Sequence, residues 1–374
     1  MMPRIKPLHI PGTHLEGGGQ LLRLAMGLGA LTHTPLHITS IRGNRGGGGG
    51  LKLQHLRAVE WLAEACSADL EGASRSSKTL TFTPQPIPPT QAAADRTKLR
   101  SEIDIGSPGS VALVFQAILP YLLFGGALHA LQQPNRAAIK VTISGGTNVS
   151  KSPSFEYIQH VLLPTLAKIG LPTITATLQK RGWSTGRPQM GSVEFKVTPL
   201  PFGEPLSPWS LVERGDVQRV EAYALVPRQC RRQMEHELAQ QKGYFKTRLG
   251  AEETEVTVED SGHEKRFYLL LVAVTENGHR LGRDWLYDQK NNLKNLDAIP
   301  RKLVDRVTEE LEMEIGHGGC VDEYMRDQLV VFEALADGPC EIDVGRDEAG
   351  KQIEGSLHTQ TAKWIAKQVL GKEP

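Results

Sequence analysis

Three times along 374 residues, a glycine-bearing turn opens onto an apolar helical pattern. The first is "HLEGGGQLLRLAMGLGAL" (14–31), the second "IGSPGSVALVFQAILPYLLFG" (105–125) and the third "GHGGCVDEYMRDQLVVFEALA" (316–336). In the first, Leu21, Leu22, Leu24, Ala25, Leu28 and Leu31 fall near helical spacing, which predicts a helix from about Gln20. Each predicted helix carries a glutamine: Gln20, Gln116 or Gln328. A second amphipathic pattern follows each one, at 51–66, 152–170 and 357–371. β-Rich runs such as "PLHITSIRG", "KTLTFTP" and "AAIKVTISGG" separate them. A unit of strands plus two helices, used three times, has a period far above that of solenoids. It predicts an α/β (α+β) protein with sheets on one side and helices on the other.

The third unit does not directly follow the second. After "LPTITATLQKRGW" (171–183) come about a hundred residues of different texture. They hold the Pro-rich "PLPFGEPLSPWS" (199–210), a charged helix-like "RQCRRQMEHELAQQ" (228–241) and a strand candidate, "RFYLLLVAVTE" (266–276). This predicts a small α/β insertion over 184–285, with the repeats in 1–183 and 286–374. "DQKNNLKNL" (288–296) reads as a polar loop.

Charged residues at 23% and hydrophobic residues at 39% describe an ordinary globular chain. No apolar run approaches the ~20 residues of a membrane span. The start, "MMPRIKPLHIPG", has neither a signal-peptide apolar stretch nor an Arg/Ser-rich transit pattern. A nuclear (nucleoplasmic) or cytoplasmic protein, not secreted and with no membrane partner, is expected. Cys66, Cys230, Cys320 and Cys340 show no CxxC spacing and no nearby His cluster, which predicts buried, reduced thiols and no zinc. A net charge of +1 excludes a whole-surface nucleic-acid binder. The distribution is less even: residues 1–60 hold Arg4, Lys6, Arg23, Arg42, Arg45, Lys52 and Arg57 against only Glu16 and Glu60. That excess surrounds the first glycines.

Three glycines are a costly way to start a helix, since each gives up more backbone entropy than any other residue. Either the turn needs positive φ, or a ligand approaches bare N–H groups where the helix dipole favours an anion. "RGNRGGGGGLKLQH" (42–55) sets five glycines between Arg45 and Lys52 but lacks the G-x-x-x-x-G-K-[ST] phosphate loop. It reads as a surface loop or as a phosphate site served by guanidinium groups. His358, in "GSLHTQT", stands where the final helix begins. It is a packing or solvent-facing residue, or a phosphoryl acceptor when neutral. Thr359 and Thr361 beside it suit a helix cap. His55 is open between core and an RNA-facing role. Asp322 and Asp327 lie on one predicted helix with Gln328, either as a solvated face or to orient a metal or nucleotide. No Ser/His/Asp triad or dinucleotide fingerprint stands out.

Together, "LEGGGQLLR", "SIRGNR", "SGGTN", "ERG", "VDEYMRDQL" and "LHTQTA" stand in an order that resembles the RNA 3′-terminal phosphate cyclase family, from about residue 10 to 370. The likeness is strong in three blocks and fades over roughly 184–315. It implies three repeats, each a four-stranded sheet with two helices, and a small α/β domain inserted into the third. It also implies an ATP-dependent conversion of an RNA 3′-phosphate into a 2′,3′-cyclic phosphate through enzyme–AMP and RNA-adenylate intermediates. The nucleophile carried over is His358. Glu16 matches the acidic residue near a divalent metal, magnesium or manganese. Arg23, Arg42, Arg45 and Gln54 match positions near the phosphates. Gln116, Pro153 and the run Tyr324, Met325, Arg326, Asp327 and Gln328 match the nucleotide pocket. ATP and RNA 3′ ends are the implied partners, with no obligate protein partner evident.

The chain departs from the family pattern at Pro11-Gly12, where Asp-Gly is usual, and at Gly50-Leu51-Lys52, where Pro-Gly-Leu precedes arginine. "WSTGRPQMGS" (183–192) replaces the family's Gly-rich run after "RG". A second reading is a non-catalytic ribosomal RNA-processing paralogue acting in assembly, a branch that lacks the nucleophile and the basic pocket. A third is a transferase of unrelated chemistry on a similar repeated fold. Glu16, Arg23 and His358 together favour the enzyme.

Overall fold

The computed structural model describes residues 6–85, 99–126, 138–201, 203–289 and 296–372. Arg4, Phe202 and most of the polar loop expected at 288–296 lie outside them.

The first unit runs β1 (Leu8–Pro11), α1 (Gly19–Thr32), β2 (Leu36–Thr39), α2 (Leu53–Ala65), β3 (Asp69–Glu71) and β4 (Leu80–Thr83). Its sheet has the order β1-β2-β4-β3, with β1 parallel to β2 and β4 antiparallel to both of its neighbours. The second unit runs β5 (Glu102–Asp104), α3 (Val111–Pro120), β6 (Ile139–Gly145), α4, β7 (Ile174–Lys180) and β8 (Gly191–Val197). Here α4 comprises Phe155–Tyr157, a wider π turn at Ile158–Leu162, and Leu163–Lys168. The order β5-β6-β8-β7 and the strand directions repeat those of the first unit. Identical wiring in two stretches is what the recurring glycine–helix pattern predicted.

The third unit is opened by an excursion. β9 (Ser210–Leu211) pairs in parallel with β14 (Glu341–Ile342), as β1 does with β2, and helices α7 (Glu323–Leu335) and α8 (Leu357–Leu370) belong with that pair. Among the described residues this sheet has two strands, where four were expected. Between β9 and α7 the chain builds β10 (Val217–Val226), α5 (Arg231–Tyr244), β11 (Glu253–Asp260), β12 (Tyr268–Thr275), β13 (Arg280–Leu286) and α6 (Ala298–Gly316). These strands form a separate sheet in the order β11-β10-β12-β13.

β12 shows why the insert is not an appendage. Every one of its residues is buried, so its sequence lacks the polar alternation of a half-exposed strand. Tyr268, Leu270, Val272 and Val274 join the core of the repeats. Leu269, Leu271 and Ala273 join a second core with Met234 and Leu238 of α5 and Leu303, Val307 and Leu311 of α6. One strand, read at period two, therefore serves two cores.

α1 packs against α2, α3 and α8, which puts the first and last helices of the chain side by side. Cys66, Cys230 and Cys320 are buried as expected, while Cys340 is partly exposed. No helix among the described residues is long and apolar enough to cross a membrane.

Candidate active site

The three glycines before α1 each meet a different neighbour. Gly17 has φ +56°, and a Cβ there would run into the Asn44 side chain. At Gly18 a Cβ would land on the carboxylate of Glu16, which folds back so that its Oε2 accepts from Gly18 N at 2.7 Å. At Gly19 it would stand 2.7 Å from His55 Nε2. Positive φ and close approach both act in this turn. The helix it opens has no side-chain cap, so its first N–H groups lack the usual partner.

Cations gather around the turn. Arg45 pairs with Glu16, and Arg42 donates to Gly50 O at 3.1 Å. Arg23, one turn into α1, forms no ion pair or hydrogen bond among the described residues. Burial pushes its guanidinium down to about 10, with Glu16 pulling the other way. Burial also lowers Arg42 and Lys52, and the neighbouring positive charges lower them further. His55 is driven well below the usual imidazole range by burial and by Arg23, Arg42 and Lys52, so it is neutral. Glu16, with Asp327 acting on Arg23 as well, leaves this group of charges with an excess of cations, a setting that favours an anionic ligand.

His358 comes to the same place from the far end of the chain. Ser356 caps α8 by accepting from Thr359 N at 3.1 Å, which sets His358 in the first turn. The His358 ring hydrogen-bonds through Nδ1 to Oε1 of Gln20, across 338 residues of sequence. A carbonyl oxygen on Nδ1 calls for a proton there, which directs the lone pair of the neutral tautomer to Nε2, the one a nucleophile needs. Asp327 lies beneath, its Oδ1 accepting from Ser356 Oγ at 2.9 Å and from Thr359 Oγ1 at 2.5 Å. Burial raises its carboxyl, partly offset by those two hydroxyls.

A cavity of about 460 Å³ opens in front of His358. Gln20, Arg23, Gln116, Pro153, Tyr324, Asp327 and Gln328 line it from the repeats. Gln116 Nε2 is buried with no hydrogen-bond partner, and a stranded donor in a cavity wall points to a polar ligand. Tyr268, Asp284, Trp285 and Arg306 line it from the insert.

Not every expected residue reaches this cavity. Tyr324, Asp327 and Gln328 sit at i, i+3 and i+4 and share one face of α7. Met325 points the other way into the core, fully buried, and Arg326 pairs with Glu333 at 2.6 Å. Helical periodicity separates them from the other three. Gln54 accepts from Ser110 N at 2.9 Å and ties α2 to the start of α3. Arg42 and Arg45 stand at the glycine turn rather than in the cavity wall. Two contributions went unread in the sequence. Gln20 was noted only as part of a recurring glutamine, and the insert's wall lies in the stretch where the motifs fade.

No cluster of three or more metal-ligating side chains exists among the described residues. Glu16 can still serve a hard divalent ion, because magnesium commonly takes one or two carboxylates and completes its shell with phosphate oxygens and water.

Residues 14–373 match the family model for RNA 3′-terminal phosphate cyclase. The chain is 33% identical over 342 residues to the RNA 3′-terminal phosphate cyclase of Desulfurococcus amylolyticus, covering 90% of this chain and 87% of that protein. It is 30% identical to the protein of that name in Drosophila melanogaster, over 98% of this chain and 91% of the relative. It is also 30% identical to a probable RNA 3′-terminal phosphate cyclase of Dictyostelium discoideum, over 97% of this chain and 76% of the relative. With the doubled strand order and the whole-chain match together, this chain belongs to the RNA 3′-terminal phosphate cyclase family.

Proposed function

We propose that this protein is an ATP-dependent RNA 3′-terminal phosphate cyclase with His358 as its nucleophile. One observation carries the reading: His358, held through Nδ1 by Gln20, faces a cavity that contains Arg23, a cation with no ion pair among the described residues. Nε2 attacks the α-phosphorus of ATP, the bond to the bridging oxygen breaks, and pyrophosphate leaves. AMP then passes from Nε2 to the 3′-phosphate of an RNA end. The neighbouring 2′-hydroxyl attacks that phosphorus, gives up its proton, closes the 2′,3′ ring and expels AMP. Adenylylation supplies the leaving group, and the adjacent hydroxyl makes ring closure intramolecular.

In this scheme Arg23 and the uncapped start of α1 hold phosphate oxygens, and Gln116, Pro153, Tyr324 and Gln328 hold the nucleoside. A divalent metal beside Glu16 neutralises phosphate charge when bound. The insert, between β9 and α7, closes the far wall. A binding-only role in ribosome assembly would leave an imidazole oriented by Gln20 toward the cavity without a task. The deciding experiment uses ATP labelled at the α-phosphate with a 3′-phosphorylated RNA. An acid-labile, hydroxylamine-sensitive protein label and phosphatase-resistant RNA ends are expected. RNA binding with no label and no resistant ends would make the chain a binding protein.

A further inference from the structure

The cavity is electrically lopsided. Arg23 lines it from the repeats, and from the insert come Arg306, which pairs with Glu310 at 2.7 Å, and Asp284, which has no ion pair among the described residues. Strand alternation along β13 places Arg283 over the Tyr324 ring, 4.6 Å from its centre, and turns Asp284 to the opposite side. There Asp284 Oδ2 accepts from the Tyr268 hydroxyl at 2.9 Å, and that hydroxyl's oxygen lies 2.6 Å from Ser154 Oγ. Ser154 adjoins Pro153 and is itself fixed, because its Oγ accepts from Tyr157 N at 2.9 Å. A chain of three side chains thus pins the insert's carboxylate to the Pro153 turn. Glu156 and Asp322 add negative potential there, and burial pushes the Asp284 carboxyl up to about 6.

Phosphate belongs beside Arg23 and is repelled by the Asp284 carboxylate. What Asp284 accepts is a neutral hydrogen-bond donor. With the α-phosphate at His358, the outermost neutral donor of ATP is the 6-amino group of its base. The Pro153 and Tyr324 rings in the same cavity wall offer surfaces for a purine.

We propose that Asp284 reads the nucleotide base: its carboxylate accepts a hydrogen bond from the exocyclic 6-amino group, so the insert rather than the repeats selects adenine. This rests on the nucleotide-binding reading above and adds the residue that sets base specificity. The test is equilibrium binding of ATP and of purine riboside triphosphate, the same ring without the amine, to the full chain by calorimetry. The parent protein should bind ATP about ten- to a hundredfold more tightly, the worth of one charge-assisted hydrogen bond. Asp284→Ala should bring the two affinities to within about threefold. Equal affinities in the parent, an unchanged ratio in Asp284→Ala, or tighter binding of GTP than ATP would each overturn the assignment. Labelling of His358 is scored separately on the same samples. Selectivity without a label upholds Asp284 and removes the nucleophile, and a label without selectivity does the reverse.

Discussion

The first and second repeats share strand order, helix order and a small local device, yet only the first leaves its opening helix start uncapped. In each, an acid accepts from the N–H of a glycine two residues on: Glu16 from Gly18 at 2.7 Å, Asp104 from Gly106 at 2.8 Å. In the second repeat the acid is exposed, and Ser110 caps α3 by accepting from Leu113 N at 3.2 Å. In the first, the acid is buried against Arg45 and α1 has no side-chain cap. A cap spends the N–H groups that an anion would use. Withholding it in one repeat leaves that helix start open to an anion, and the other repeat keeps the capped version beside it for comparison.

The largest effect expected from that difference is at Arg23. Arg23→Ala should slow adenylylation by about a hundred- to a thousandfold, the usual cost of losing one preorganised charge partner. The melting temperature should hold, because the guanidinium has no ion pair to lose among the described residues. A rate within threefold of the parent would show that the uncapped turn is not the phosphate site. Next come the glycines. Gly18→Ala drives a methyl group into the Glu16 carboxylate, and adenylylation at limiting metal should drop at least tenfold. Gly106→Ala faces open space at φ +73°; it should cost roughly 1 kcal/mol of stability with activity kept. Equal loss of activity in both variants would erase the contrast between the repeats. Gln328→Ala should raise the ATP concentration needed for half-maximal labelling by about tenfold, one hydrogen bond's worth, without unfolding the chain.

The smallest effect concerns the insert. The folded Asp284 carboxyl takes its proton near pH 6, against 3.8 for the free group. The folded chain therefore gains stability from this group as pH falls through 6 and loses it as pH rises. Asp284→Asn removes the buried charge, so it should melt higher than the parent above pH 7, by at most about 3 kcal/mol. The gain should fade below pH 5, where the parent is protonated too. A gain independent of pH would mean that Asp284 is not charged in the folded chain.

The sequence carried the repeats because their signal is local: a glycine turn followed by apolar spacing is legible within twenty residues. Glu16 and His358 were legible as types in a pattern, though not as neighbours, since the link runs through Gln20 and the packing of α1 on α8. The insert's share of the cavity was not legible. Tyr268 and Asp284 meet Ser154 only because β12 is buried on both faces, and an all-apolar strand does not announce which residues face a ligand. Met325 and Arg326 show the opposite case: the motif held all five residues of the run together, and helix geometry sorts three to the cavity and two away.

The central claim is that His358 Nε2 becomes covalently bound to AMP. Peptide mass spectrometry of the chain after incubation with ATP and magnesium, without RNA, measures this directly. The account predicts one adenylylated peptide, spanning His358, with the modification on the imidazole. In His358→Asn that peptide should carry no AMP while the fold and ATP binding persist. AMP mapped to any other residue, or retained in His358→Asn, would contradict the account.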